Sequence, residues 1–344
     1  MDIPESIRST EHLEELLSEP SERVVEALRQ LDGDILILGA GGKIGPSLAR
    51  MARRASDAAG VKRRVIAVSL VWTQDSEREL NAQGIETIRC DLLDHARLAD
   101  VPEAKNIVFM AGMKFGSTGQ EALTWAMNAY LPGMVCERFP DSRIVAFSTG
   151  NIYGLTPVTS GGSVETDALG PVGDYAQSCV GRERMLEHFS RTLGTQVAIM
   201  RLNYAVEMRY GVIADIAWRI HDGKPIDLTM GNVNVIWQGD ANAAALCALQ
   251  LAASPPFVLN VSGPEILSVR RLAEDLAGLM GREATFEGEE SSLALLSNSR
   301  LCHSLFGYPR VTAQTALGWI AQWVTSGGES LNRPTHFETR DGKF

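Results

Sequence analysis

The sequence is poor in positive charge, and its cysteines are few and scattered. The 344 residues include 32 Lys and Arg against 42 Asp and Glu, which gives a formal net charge of −10. Nucleic-acid partners require clustered Lys and Arg that displace counterions from phosphates, so this balance argues against them. The five cysteines form no C-x-x-C pair, and no histidine stands at metal-ligand spacing. We therefore expect no metal site and a reduced, cytoplasmic protein.

Long hydrophobic runs are also missing. No apolar stretch approaches the roughly 20 residues that a membrane-spanning helix needs. The N-terminus is acidic, unlike the basic and then apolar segment of a secretory signal. We expect no membrane partner. The hydrophobic content of 45% is enough for one large α/β domain, or for two smaller ones that share a ligand cleft.

Short apolar runs predict a parallel sheet. Residues Asp34–Leu38 are largely apolar and end in glycines, which is typical of a strand buried on both faces. Five further strands are predicted at Arg64–Ser69, Glu86–Cys90, Asn106–Ala111, Arg143–Phe147 and Gln196–Arg201. Helical patterns lie between most of them. The predicted fold class is α/β, a Rossmann-like doubly wound sheet, with a smaller C-terminal lobe.

A glycine-rich loop follows the first predicted strand and leads into a predicted helix. It reads Gly39-Ala40-Gly41-Gly42-Lys43-Ile44-Gly45. Such a loop makes a tight turn, lets the backbone approach a pyrophosphate, and directs helix N-terminal N–H groups at negative charge. Its position between a strand and a helix predicts dinucleotide binding. The residues expected to contact the dinucleotide are Gly39, Gly42, Lys43, Ile44 and Gly45.

Two further segments carry a resemblance to a known family. The strand Arg143–Phe147 runs into Ser148-Thr149-Gly150-Asn151-Ile152-Tyr153-Gly154, and a later helix opens Tyr175-Ala176-Gln177-Ser178-Cys179. With the glycine loop, they resemble the extended short-chain dehydrogenase/reductase superfamily in its NAD-dependent epimerase/dehydratase branch. That branch reads roughly S-[ST]-x-x-x-Y-G and Y-x-x-S-K in these places. The departure is Cys179, which stands where the family has lysine.

The resemblance implies that Tyr175 is the general acid/base and that Thr149 hydrogen-bonds the substrate oxygen. The family lysine holds the nicotinamide ribose and lowers the pKa of the tyrosine, which is otherwise about 10. Cys179 cannot supply this positive charge. The oxidised nicotinamide, Arg182 on the same helix face, or proton transfer by Cys179 itself would each compensate. Alternatively, Cys179 fills a small apolar space, as buried cysteines commonly do.

Further contacts follow from the resemblance alone. The cofactor contacts that it implies beyond the glycine loop are Ser69, Asp91, Leu92, Ala111, Gly112, Lys114, Asn128 and Tyr175. Lys114 is expected at a pyrophosphate oxygen or else in solvent. Ser69 stands where NAD-preferring relatives carry an acidic residue, so NAD or NADP stays open, with NAD slightly favoured by the branch.

Substrate contacts are implied for Ser148, Tyr153 and Asn203, with a packed aromatic as the alternative for Tyr153. The step Arg201-Leu202-Asn203 is one residue shorter than the family's R-x-x-N. The tail Pro334–Phe344 either packs over the cleft or is a solvated terminus.

The expected organisation has four parts. Residues 1–31 form a helical extension, and 32–202 form the NAD(P)-binding domain, to which 230–262 return. Residues 203–229 and 263–344 form the substrate lobe. By analogy we expect a homodimer, through helices around Met127–Val135 and Cys179–Phe189.

The implied function is that of a sugar or nucleotide-sugar epimerase or dehydratase that works through transient hydride transfer. One alternative is a carbonyl reductase or alcohol dehydrogenase with a dissociable cofactor. Another is a catalytically impaired dinucleotide-binding sensor or scaffold.

Overall fold

The structure, a computed structural model, describes residues 3–343. Its centre is a sheet of seven parallel strands, β1 to β7 in chain order: Ile35–Leu38, Val65–Ser69, Glu86–Arg89, Asn106–Phe109, Arg143–Thr149, Gln196–Leu202 and Phe257–Val261. Their spatial order is β7-β6-β5-β4-β1-β2-β3. The chain begins in the middle of the sheet, extends it to one edge and then crosses over to extend the other. This is a doubly wound α/β fold, which confirms the predicted fold class.

The helices cover both faces of the sheet and build the lobe. Numbered α1 to α13, they are Thr10–Leu17, Glu22–Gln30, Gly45–Ala58, Gln74–Ala82, His95–Ala99, Glu121–Trp125, Leu131–Arg138, Gly173–Leu193, Val212–His221, Gln238–Ala248, Val269–Met280, Arg300–Phe306 and Ala313–Thr325. A π-helical turn, Ala126–Tyr130, joins α6 to α7, and 3-10 turns lie at Gly150–Ile152 and Leu249–Leu251. Within residues 3–343, none of the helices has the length and apolar content of a membrane span.

Two-residue strands build small sheets outside the central one. They are Thr156–Pro157, Ala205–Val206, Ile226–Asp227, Asn232–Val233, Ile236–Trp237, Leu267–Ser268, Phe286–Glu287 and Leu293–Ala294. They are too short to organise a core, and the lobe is held mainly by packing among α9, α11 and α13.

Alternating side chains of the strands build one apolar core on each face of the sheet. Ile35 and Ile37 of β1 join the core on one face, while Leu36 and Leu38 join the core on the other. A third core fills the lobe. The segment 230–262 is shared, because Val233 belongs to the lobe core and β7 returns to the central sheet.

The N-terminal extension is two helices, although its periodicity suggests a continuous pattern. Pro20 lacks a backbone N–H and so disfavours continuation of α1. The Ser21 hydroxyl then accepts a hydrogen bond from Val24 N at 3.4 Å and caps α2. Leu13 of α1 packs in the lobe core and Leu28 of α2 in a sheet core. The extension therefore joins both parts of the molecule.

Strands β5 and β6 run beyond their predicted ends. They pair from Arg143 with Gln196 to Thr149 with Leu202, so the ladder continues past Phe147. As a result Thr149 lies at the carboxyl edge of the sheet. Doubly wound folds bind their ligands outside this edge.

Candidate active site

The packing of the glycine loop requires glycine at three positions, 39, 41 and 45, but not at position 42. A Cβ on Gly41 would lie 2.5 Å from Val71 O. Gly39 has φ +91°, and a Cβ there would lie 2.5 Å from Ala111 N. A Cβ on Gly45 would overlap the carbonyl of Ala40. By contrast, the nearest atom to a Cβ on Gly42 would be Gly39 O at 3.7 Å. The bare backbone at Gly42 therefore leaves open space against the loop, which fits the close approach of a pyrophosphate.

The start of α3 also fits an anion. Its N-cap is Ile44, and among the residues that the structure describes no side chain caps this end. The first turn of a helix carries partial positive charge, although here Gly45 N already donates to Gly42 O at 3.2 Å and Pro46 has no N–H. This partial charge would favour a pyrophosphate over Gly42 and Ile44.

Of the predicted cofactor contacts outside the loop, Ser69 lies beside it, and Asp91 and Leu92 follow β3. The Ser69 hydroxyl donates to Val71 O at 2.9 Å and lies against Gly41. Asp91 accepts a hydrogen bond from Leu93 N at 3.0 Å, and Leu92 is buried. These three residues do not line the cavity that contains Tyr175.

A cavity of about 370 Å³ lies between the carboxyl edge of the sheet and the lobe. The predicted site residues that line it are Gly39, Gly42, Lys43, Ile44, Gly112, Lys114, Asn128, Ser148, Thr149, Tyr175, Arg182 and Asn203. The structure thus brings the predicted catalytic tyrosine and threonine together with the glycine loop. Among residues 3–343, no three His, Cys, Asp or Glu side chains meet in a way that would hold a metal ion.

Tyr175 lies in the first turn of α8, and its hydroxyl group hydrogen-bonds with Thr149 and Cys179. Burial is the main cause that raises the pKa of Tyr175 above its ordinary value. Cys179 raises this pKa further, while Thr149 and the charge of Arg182 act in the opposite direction. Burial therefore favours the protonated form of Tyr175, and nearby positive charge is needed before it can accept a proton.

Cys179 follows one helical turn later and is buried. It packs against Ile152 and Tyr153 in a small apolar cluster. Burial raises the pKa of its thiol, although the positive charges of Arg182 and Lys114 act against this. These surroundings favour the space-filling interpretation of Cys179 over that of an acidic thiol.

Arg182 lies two turns after Tyr175, and its guanidinium group is fixed by carbonyl oxygens. It donates to Ala111 O at 3.0 Å, to Asn128 Oδ1 at 2.8 Å and also to Phe147 O. Its Nε donates to Asn128 O at 3.3 Å, within the π-helical turn. Arg182 thus holds the β4 and β5 ends, and it acts on Tyr175 through its charge.

Lys114, which the sequence predicts at a pyrophosphate oxygen or in solvent, lines the cavity near Tyr175. Its Nζ lies 6.0 Å from the centroid of the Tyr175 ring and 3.3 Å from Thr335 O. Burial lowers its pKa to about 8, while Asp215 acts against this shift. The sequence signal was its place in the segment Ala111-Gly112-Met113-Lys114, which follows the fourth strand. The direction of the Lys114 side chain depends on its contact with Thr335, which is more than 200 residues away in the chain.

Ser148 and Tyr153 belong to a buried polar network. Ser148 Oγ donates to Glu183 Oε1 at 2.6 Å, and Glu183 pairs with Arg201 at 2.7 Å. Arg201 donates to the Tyr153 hydroxyl at 2.6 Å, which in turn donates to Asn260 Oδ1 at 2.9 Å. Tyr153 is buried and does not line the cavity, so the structure places it as a packed aromatic. Ser148 lines the cavity, but its hydroxyl proton is directed to Glu183.

The two predicted asparagines have internal partners. Asn128 Nδ2 donates to Met113 O at 2.8 Å and to Ser178 Oγ at 3.0 Å, so it fixes the loop after β4 against α8. Asn203 Nδ2 donates to Asn234 Oδ1 at 2.7 Å. Both asparagines line the cavity while they hold its wall in shape.

The C-terminal tail packs over the cleft. The Thr335 N–H and hydroxyl donate to Asp215 Oδ2 at 2.7 and 2.5 Å. Phe337 is buried in the lobe core, and Leu331 and Arg333 line the cavity. Of the two interpretations of this segment, packing over the cleft is the one that the structure has for residues 334–343; Phe344 lies outside the described residues.

Comparison with solved structures agrees with this fold. Solved structures with the same fold include MoeE5 in complex with UDP-glucose and NAD, at 19% identity and a TM-score of 0.70, covering 86% of this chain and 99% of that one. They also include a UDP-glucuronic acid 4-epimerase from Bacillus cereus with UDP-glucuronic acid and NAD, at 18% identity and a TM-score of 0.70, covering 85% of this chain and 99% of that one. A third is DesIV, a dTDP-glucose 4,6-dehydratase from Streptomyces venezuelae, at 19% identity and a TM-score of 0.72, covering 85% of this chain and 97% of that one.

A search of curated proteins finds no match. The model of the NAD dependent epimerase/dehydratase family, however, matches residues 35–261. This match spans more than half of the chain, from β1 to the end of β7. The chain therefore belongs to the NAD-dependent epimerase/dehydratase family.

Proposed function

We propose that the protein is an NAD-dependent sugar epimerase or dehydratase that works through transient oxidation of a substrate hydroxyl group. The observation that carries this proposal is the hydrogen-bonded pair of Thr149 and Tyr175 in a cavity that also reaches the glycine loop. When bound, NAD would accept a hydride from the substrate and return it. The family and the NAD-bound structures of similar fold support this choice of cofactor.

In the proposed reaction, Thr149 and Tyr175 bind one substrate hydroxyl. Thr149 positions its oxygen, and Tyr175 accepts its proton during oxidation and donates it back on reduction. A buried tyrosine resists ionisation, so nearby positive charge must offset the burial. Arg182 is one such charge, fixed by its carbonyl partners, and Lys114 is a second one beside the ring. Together they replace the charge that Cys179 cannot supply.

A second candidate is a dinucleotide-binding protein with impaired catalysis. The raised pKa of Tyr175 and the uncharged, buried Cys179 favour it. The complete glycine loop and the retained Thr149–Tyr175 pair favour the enzyme. These two candidates make different predictions for hydride transfer but the same prediction for cofactor binding.

A single-turnover experiment separates the two candidates. The NAD-loaded protein is mixed with a panel of sugars, sugar acids, sugar phosphates and nucleotide sugars, and the absorbance of reduced nicotinamide is followed. The proposal predicts transient reduction with at least one compound, and a loss of about 100-fold or more in Tyr175→Phe. Tyr308→Phe is the matched control, because Tyr308 is exposed. Tight NAD binding without reduction by any compound would favour the impaired protein.

A further inference from the structure

A C-terminal segment limits the size of the cavity. This segment, Leu331–Phe337, lies between the cavity and solvent, and Thr335 binds it to Asp215 of α9. The remaining space of about 370 Å³ is at the low end of the roughly 300–1,000 Å³ of ligand pockets. The nicotinamide end of the cofactor must share this space, because Thr149 and Tyr175 line it. The remainder suits a single sugar unit better than a nucleotide-linked sugar.

The wall of the cavity is positively charged, in a chain whose formal net charge is −10. Within the part of the chain that the structure describes, its charged lining residues are Lys43, Lys114, Arg182 and Arg333. No carboxylate is among those lining residues. The nearby Glu207 is paired with Arg209 at 3.2 Å, and Asp215 accepts both hydrogen bonds of Thr335. The cavity therefore favours an anion.

Lys43 points away from the loop that carries it. Its backbone belongs to the glycine loop, but its Nζ lies 3.3 Å from Ala205 O and 3.8 Å from the centroid of the Tyr210 ring. Both partners follow β6 and lie on the substrate side. A lysine ammonium has three N–H donors, and Ala205 O accepts from only one of them. The side chain is thus placed to bind a substrate group.

The ammonium group of Lys43 is also in an unfavourable environment. Burial lowers its pKa to about 7, and although Glu207 acts against this shift, Arg209 and Lys114 add to it. An anion in contact with Nζ would restore its positive charge, because an opposite charge within hydrogen-bonding distance favours the charged form. The surroundings of Lys43 Nζ therefore favour the binding of a negatively charged group.

We infer that Lys43 binds the carboxylate or phosphate group of a small anionic sugar derivative, and that the substrate is a sugar acid or sugar phosphate instead of a nucleotide sugar. This inference rests on the proposed function, because it places a hydroxyl of the same molecule at Thr149 and Tyr175. Lys43 would then set specificity, while the threonine and tyrosine carry the proton chemistry.

The test is calorimetric titration of the NAD-loaded protein with D-glucose, D-gluconate, D-glucose 6-phosphate and UDP-glucose. Gluconate or glucose 6-phosphate should bind at least about tenfold more tightly than glucose, and the tighter of the two identifies the anion. Lys43→Met should remove this preference, whereas Lys43→Arg should keep most of it. Lys62→Met is the control for a lost positive charge, because Lys62 is exposed. The affinity for NAD should change less than about threefold in every variant.

Four results would overturn the inference while the proposed function stands. UDP-glucose could bind more tightly than both small anions. Neither anion could bind better than glucose, or Lys43→Met could retain the preference. Lys43→Met could also weaken NAD binding as much as anion binding, which would assign Lys43 to the pyrophosphate. A wild-type protein that binds no NAD would instead contradict the proposed function itself.

Discussion

Replacing Glu183 by glutamine should lower the free energy of unfolding by about 3–5 kcal/mol. Glu183 of α8 accepts two hydrogen bonds from Arg201 of β6, from Nε at 3.0 Å and from Nη2 at 2.7 Å. Both side chains are only 7% exposed. Water therefore cannot solvate the guanidinium charge of Arg201 once the carboxylate of Glu183 is removed. Glutamine keeps the shape of the side chain but leaves the guanidinium group of Arg201 buried without a counter-charge. That uncompensated charge is the source of the cost.

The measurement is urea denaturation of the wild type and Glu183→Gln, with Glu187→Gln as the matched control. Glu187 is on the same helix and pairs with Arg184 at 2.9 Å and Arg191 at 3.1 Å, but these pairs are exposed to solvent. Its loss should cost at most about 0.5 kcal/mol. A loss for Glu183→Gln below about 1 kcal/mol, or no larger than that of the control, would refute the view that this ion pair holds the helix of Tyr175 against the sheet.

Three further predictions follow from the site and the helices. Gly42→Val should weaken dinucleotide binding in a titration by at least about tenfold while Tm stays nearly unchanged. Gly39→Val should instead lower Tm, because the fold crowds Gly39 but leaves open space at Gly42. Because the pKa of Lys114 is about 8, its charge is present below this pH and lost above it, so single-turnover hydride transfer should decline above about pH 8. Lys114→Arg should move this decline to higher pH, and Lys114→Met should abolish it and slow the reaction at neutral pH. If the pH dependence of hydride transfer is unchanged in both variants, Lys114 has no part in the proposed mechanism. Light scattering after size exclusion should give about twice the chain mass of 37.3 kDa, whereas the mass of a single chain would contradict the expected homodimer.

The sheet could be predicted because its signals are local. Apolar runs such as Asp34–Leu38 contain their own evidence of burial on both faces, and the glycine loop marks where the first strand turns into α3. The end of β5 was less predictable, since Ser148 and Thr149 are polar and their strand conformation depends on pairing with β6. The break at Pro20 was visible in the sequence, but the helical periodicity on both sides obscured it.

The candidate site also has residues that local motifs predict and residues whose placement depends on distant contacts. Thr149 and Tyr175 could be assigned from motifs, and the structure places them in contact. The directions of Lys43 and Lys114 could not be predicted, because their partners Ala205 and Thr335 are distant in sequence. A long flexible side chain takes its direction from such tertiary contacts, which no local pattern contains.

The measurement that tests the account most directly is the identification of any dinucleotide released when freshly purified protein is denatured. We predict NAD, close to one per chain, because the loop at Gly42 and the start of α3 are shaped for a pyrophosphate and transient oxidation requires a cofactor that stays bound. NADP in its place would correct the choice of cofactor. Protein that carries no dinucleotide, and then binds neither NAD nor NADP in titration, would contradict the account.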